Sequence, residues 1–117
     1  MIFMRLLGVF HCIDIINYHM LQAMRGKGIE TYATYTSDEE REALPKECVA
    51  LRIPHFKSKF KYASIKEVRS IIKKYRIDVI YASSSIDLSI ALFASWGTPA
   101  RVHAVEHPLY VETVAKL

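Results

Sequence analysis

Ser64 to Val105, SIKEVRSIIKKYRIDVIYASSSIDLSIALFASWGTPARVHAV, decides the fold, because it reads in order as helix, buried strand, serine-rich turn, helix and strand. Ser64 is placed to N-cap a helix, with Glu67 three residues on to complete a capping box. Ile65, Val68, Ile71, Ile72 and Tyr75 then recur at helical spacing, while Lys66, Arg69, Lys73 and Lys74 fill the opposite face. Asp78 to Ala82 is a short apolar run without alternation, as expected of a strand covered on both faces. After Ser83, Ser84 and Ser85 a helical pattern resumes from Ile86 to Trp96, with Gly97 and Pro99 as stop signals, and Ala100 to Val105 is the next strand.

The first half repeats this grammar. Met1 to Phe10 reads as a first strand, followed by a loop at His11 to Asp14 and a helix carrying Ile15, Ile16, Tyr18, Met20, Leu21 and Met24, closed by Gly26 and Gly28. Ile29 to Tyr35 alternates β-branched and aromatic residues as a second strand, Ser37 to Glu40 starts a short helix with a second capping box, and Cys48 to Ile53 is a third strand. Strands alternating with helices predict right-handed crossovers and a three-layer α/β fold, a doubly wound parallel sheet of order 3-2-1-4-5. Its ligand crevice is expected where the order reverses, at the carboxyl ends of strands one and four, where His11, Asp14, Ser83 and Ser84 meet.

The 117 residues, 51% of them hydrophobic, suffice for one domain with a core and leave no room for a second. A formal charge of +4 does not call for general nucleic-acid binding. Cys12 and Cys48 have no metal or redox spacing and fit free thiols in a reducing cytoplasm. The apolar N-terminus is interrupted by Arg5, is too short to span a bilayer and lacks a small-residue cleavage site, so it reads as strand and not as a signal. In the irregular stretch PHFKSKFKYA from Pro54 to Ala63, Lys57, Lys59 and Lys61 alternate with aromatic residues. Such a stretch suits peripheral contact with an acidic membrane, against the plainer reading of a solvated loop.

Each candidate site residue has a structural alternative. His107 follows the fifth strand at a carboxyl end, where an imidazole can act as catalyst or orient an acceptor, with Glu106 beside it as a hydrogen-bonding partner; a histidine next to Pro108 is as readily a surface residue. Ser83 and Ser84 can bind hydroxyl groups, whereas Ser85 is better read as a helix cap, and Asp14 can cap the first helix. Asn17 and His11 are weaker candidates. His103 and His107 show H-x3-H spacing, but on a strand and a loop, where it does not converge on a metal, so no metal site is expected. The loops diagnostic of P-loop, dinucleotide and α/β-hydrolase chemistry are absent from the sequence.

The element order, the end of the first helix in Met24-Arg25-Gly26-Lys27-Gly28, and KKYRIDVIYASSS before an alanine-rich helix and a glycine-proline turn resemble the N-terminal, acceptor-side domain of family 4 glycosyltransferases of the GT-B fold. The likeness covers nearly the whole chain, with Ala82 standing where a histidine is frequent and Cys12-Ile13-Asp14 lacking the family's glycine-rich turn. The resemblance implies a Rossmann-like domain that takes part in transfer of a sugar from a nucleotide-sugar donor to a glycan or lipid acceptor, with no further cofactor. It implies a second domain bearing the donor site, so that residues 1–117 by themselves are expected to be inactive and prone to self-association through an uncovered face. His107 is then the position of the family's histidine after the fifth strand. The alternative expectation is a freestanding flavodoxin-like module that binds or senses a small ligand. The helical pattern from Val111 to Leu117 runs only about two turns and reads as interrupted.

Overall fold

The computed structural model describes residues 4–10, 15–53, 61–82 and 85–104. The elements run β1 Arg5–Val9, α1 Ile15–Gly26, β2 Glu30–Tyr35, α2 Asp38–Glu42, β3 Val49–Arg52, α3 Lys61–Tyr75, β4 Val79–Ala82, α4 Ser85–Ser95 and β5 Arg101–Ala104. All four strand pairings are parallel and the sheet order is β3-β2-β1-β4-β5, as the alternation of strands and helices predicts. The fold is a Rossmann-like α/β sandwich.

Two apolar clusters, one on each face of the sheet, hold the layers together. Leu7, Val9, Ile80 and Ala82 face Val68 and Ile72 of α3 and Ile90, Ala91 and Ala94 of α4. On the other face Leu6, Phe10, Ala33, Tyr35 and Tyr81 pack with Leu21 of α1 and with Leu44 and Cys48 beside α2. β1 alternates between the two, and its four residues from Leu6 to Val9 are all buried, as a central strand of a parallel sheet requires.

Below the sheet, at the amino ends of the strands, a polar bracket fixes the register of β1 against its neighbours. The Asp78 carboxylate accepts from the Arg5 backbone N–H at 2.9 Å while the Arg5 carbonyl accepts from the Asp78 N–H, also at 2.9 Å. The Arg5 guanidinium pairs with Glu30 at 3.0 Å and donates to the Tyr75 carbonyl at 2.9 Å. The aspartate that opens the fourth-strand motif therefore has a structural duty, at the end of the sheet opposite the carboxyl ends of the strands.

Helix α3 corrects one expectation. It opens at Lys61, so Ser64 lies inside the helix and is buried. Ser64, Val68 and Ile72 share one buried stripe at a spacing of four residues, and the serine is the first rung of the face turned to the sheet instead of a cap. The second capping box stands: Ser37 Oγ accepts from the Glu40 N–H, although the Glu40 carboxylate reaches back to the Thr36 N–H and hydroxyl, one residue before the expected partner. Both long helices that lead into central elements end in six-to-one bonds, Ile29 N–H to the Met24 carbonyl after α1 and Ile77 N–H to the Ile72 carbonyl after α3. Gly28 takes the left-handed position in the first (φ +83°), and Arg76 takes it in the second (φ +52°).

Buried Cys48 yields a pH prediction. Burial pushes its thiol up to about 11, against a weaker opposing pull from Thr31 and Arg25. A raised folded-state value stabilises the fold below the unfolded thiol's ordinary range, and that contribution is lost as pH rises through about 11. Denaturation midpoints should therefore fall between about pH 9 and about pH 11 in the wild type and fall less in Cys48→Ala. Equal decline in both proteins would refute a role for the thiol.

Candidate functional site

Order β3-β2-β1-β4-β5 puts the topological switch between β1 and β4. Their register pairs Val9 with Ala82, so the chain leaves the sheet from two adjacent strand ends. It re-enters regular structure at α1 and α4, whose amino ends face that same edge because both follow parallel strands directly. The geometry that makes a crevice in such sheets is thus present.

Within the described residues, two polar side chains mark this edge. Asn17, in the first turn of α1, is 2% exposed, and Asp87, in the first turn of α4, is 1% exposed. Both are engaged in polar interactions. A third polar group fixes the end of β1: Thr34 Oγ1 accepts from the Phe10 N–H at 2.8 Å and donates to the Phe10 carbonyl at 3.1 Å, fully buried. Phe10 in turn sets its ring edge-on against Tyr81, with centroids 5.9 Å apart. One hydroxyl satisfies both backbone groups of the last described residue before the first loop, and so sets the direction in which the chain departs.

His11, Asp14, Ser83, Ser84, Glu106, His107, Lys57 and Lys59 lie outside the described residues, and Lys61 is the first residue of α3. His103 is exposed on β5, and no group of three or more metal-ligating side chains occurs among the described residues. Asn17 is, with His11, one of the weaker candidates in the sequence, and Asp87 and Thr34 are not among its candidates. The signal for Asn17 is available in retrospect: it stands three to four residues before Met20 and Leu21, on the stripe that packs on the sheet, while Ile15 and Ile16 point outward. Two surface hollows, of about 900 Å³ beside α2 and about 370 Å³ between the end of α3 and the α4–β5 turn, lie away from this edge.

No family model matches the chain, and no curated protein matches it. Among solved structures, a glycosyltransferase from Rickettsia africae superposes with a TM-score of 0.69 at 15% identity, over 87% of this chain and 29% of that one. The C-terminal domain of a hydrogenase from Pyrococcus furiosus superposes with a TM-score of 0.57 at 18% identity, over 85% of this chain and 89% of that domain. The chain therefore has a glycosyltransferase-like Rossmann fold and spans under a third of the length of that glycosyltransferase. At such identities the likeness concerns the fold alone.

Proposed function

We propose that this chain is the acceptor-side domain of a GT-B glycosyltransferase of family 4 type, working with a second domain that holds the nucleotide-sugar donor. The observation that carries the reading is the switch-point edge between β1 and β4, with buried Asn17 and Asp87 at the starts of the two helices that flank it. The superposition on a glycosyltransferase supports it.

Sugar transfer needs an acceptor hydroxyl held in line with the donor's anomeric carbon, and a group to take its proton. The edge supplies rigid placement, because its polar side chains sit on packed helices. In this reading His11, Asp14, Ser83 and Ser84 bind acceptor or donor hydroxyls, and His107, with Glu106 next to it in the chain, orients the acceptor or accepts its proton. The donor and the rest of the reaction centre come from the other domain, so residues 1–117 bind but do not turn over.

Amide chemical shifts of the 117-residue chain, followed while nucleotide sugars, oligosaccharides and glycolipid headgroups are added, test this reading. Changes are expected at Val9, Phe10, Asn17, Ala82 and Asp87 with an acceptor. Sugar transfer by the isolated chain, or no change at those amides with any of the three ligand classes, would overturn it. The hydrogenase domain, matched over 89% of its length, favours a second reading: a compact flavodoxin-like module that binds a small ligand unaided. Micromolar binding of flavin mononucleotide at the same amides, with no response to sugars, would select that reading.

A further inference from the structure

Helix α4 is predominantly apolar and carries apolar side chains on its outer side as well as on its sheet-facing side, a pattern that favours cover on both. Asp87, Ile90, Ala91 and Ala94 are buried toward the sheet, whereas Leu92, Phe93 and Trp96 are exposed, Trp96 to 78%. Beside it, α3 buries Ser64, Val68 and Ile72 and turns Tyr62, Lys66 and Lys73 outward, Tyr62 being 81% exposed. The Arg69 guanidinium donates to the Trp96 carbonyl, which ties the two helices into one continuous outer face.

The charge on this face has one sign. Residues 61–76 hold six basic residues against the single acid Glu67. On the opposite side of the sheet, residues 15–28 and 36–48 together hold five acids, Asp38, Glu39, Glu40, Glu42 and Glu47, against the four basic residues Arg25, Lys27, Arg41 and Lys46. The α3–α4 layer is thus the more basic of the two, and among the described residues the exposed Tyr62, Leu92, Phe93 and Trp96 sit in it, while Ile15 and Ile16 are the exposed apolar residues of α1 on the other side.

From this we infer that the outer face of α3 and α4 docks on an anionic lipid surface. Leucine, phenylalanine and tryptophan bordered by lysine and arginine match an interface whose headgroups are negative and whose underlying chains are apolar. No helix among the described residues is long and apolar enough to cross a membrane, so the contact is peripheral. A nucleic-acid partner would use the cations and the aromatic rings but has no place for Leu92. The inference rests on described residues from Tyr62 to Trp96, stands without Lys57 and Lys59, and does not depend on the sugar-transfer reading.

Trp96 is the only tryptophan in the chain and reports directly on this face. With vesicles of phosphatidylcholine containing about one third phosphatidylserine, its emission should move to shorter wavelength and be quenched by brominated acyl chains. The protein should sediment with these vesicles and not with pure phosphatidylcholine. Lys66→Gln with Lys73→Gln should weaken partitioning about 25-fold, roughly fivefold for each cation removed. Leu92→Ser with Phe93→Ser should weaken it at least about tenfold, and Lys27→Gln with Lys46→Gln, off this face, should leave it unchanged. Circular dichroism checks that each variant is folded. Equal recovery with neutral and anionic vesicles overturns the inference, as does binding without a change in Trp96 emission. Loss of binding in the Lys27 and Lys46 variant, or retention of an RNA oligonucleotide in place of vesicles, also overturns it.

Discussion

Gly8→Val should remove about 3 kcal/mol or more of folding stability, enough to unfold a large share of a domain whose total is on the order of 10 kcal/mol. Gly8 lies in the middle of β1, between Ala33 of β2 and Tyr81 of β4. A Cβ there would run into Cε2 and Cζ of the Phe10 ring, which folds back over the glycine. That ring has no free direction to yield, since Phe10 is fully buried and packs edge-on against Tyr81. A larger residue at position 8 must eject the phenylalanine from its cluster, and losing a buried phenylalanine typically costs about 3 to 5 kcal/mol. Urea denaturation measures the loss, and a double-mutant cycle tests its cause. Gly8→Ala should cost far less in a Phe10→Leu background than in the wild type, because the steric partner is smaller. Equal costs in the two backgrounds would mean that the ring is not the obstacle.

The same residue shows where sequence reading works and where it stops. Strand order and helix existence were legible because they follow from periodicity and from the chirality of crossovers, both properties of residue type along the chain. The apolar run at Val79 to Ala82 and the breakers at Gly28 and Gly97 carried that information. Which way an amphipathic helix faces was less legible. In α1 six apolar residues suggested a broad buried face, yet Ile15 and Ile16 are exposed and Asn17 is buried. The phase is set by Leu21, Met20 and Met24, which pack on the sheet, and Asn17 falls on their side. Ser64 is the same case: its polarity suggests a cap, but its place on the stripe of Val68 and Ile72 buries it.

The site was legible as a place and not as a set of contacts. The switch point follows from strand order, so the edge between β1 and β4 is located by the sequence alone. Asp87 and Thr34 could not be found this way, because an aspartate in a first helical turn and a threonine in a strand are the commonest solvent-facing choices at such positions. Their burial is decided by neighbours distant in sequence: Thr34 matters through Phe10, 24 residues away. The charge polarity of the two helical layers was likewise present in the sequence, but it acquires meaning only once α3 and α4 share one face.

Thr34 supplies the second large effect, because a neighbour on its own strand provides the opposite case. Thr34→Val keeps the shape of the side chain and removes the hydroxyl that serves both the N–H and the carbonyl of Phe10. Two buried backbone groups then lose the partner they have among the described residues, at about 1 to 3 kcal/mol each, and a total loss of about 3 kcal/mol is expected. Thr34→Ser keeps the hydroxyl and should recover most of it. Thr31 is also buried in β2, but its hydroxyl makes no hydrogen bond of good geometry among the described residues and has only a weak polar contact with the Cys48 thiol. Thr31→Val therefore removes an unsatisfied polar group and should be neutral or stabilising. The two substitutions are chemically identical, lie three residues apart and are expected to differ in sign, so hydrophobicity or strand propensity cannot account for the pair. Similar losses at both positions would refute the hydrogen-bond argument. Thr34 also fixes the exit of the chain from β1 at the switch-point edge, so Thr34→Val should weaken ligand binding there even below its denaturation temperature, and Thr31→Val should not. A ligand whose affinity is indifferent to Thr34→Val would have to bind away from the β1–β4 edge.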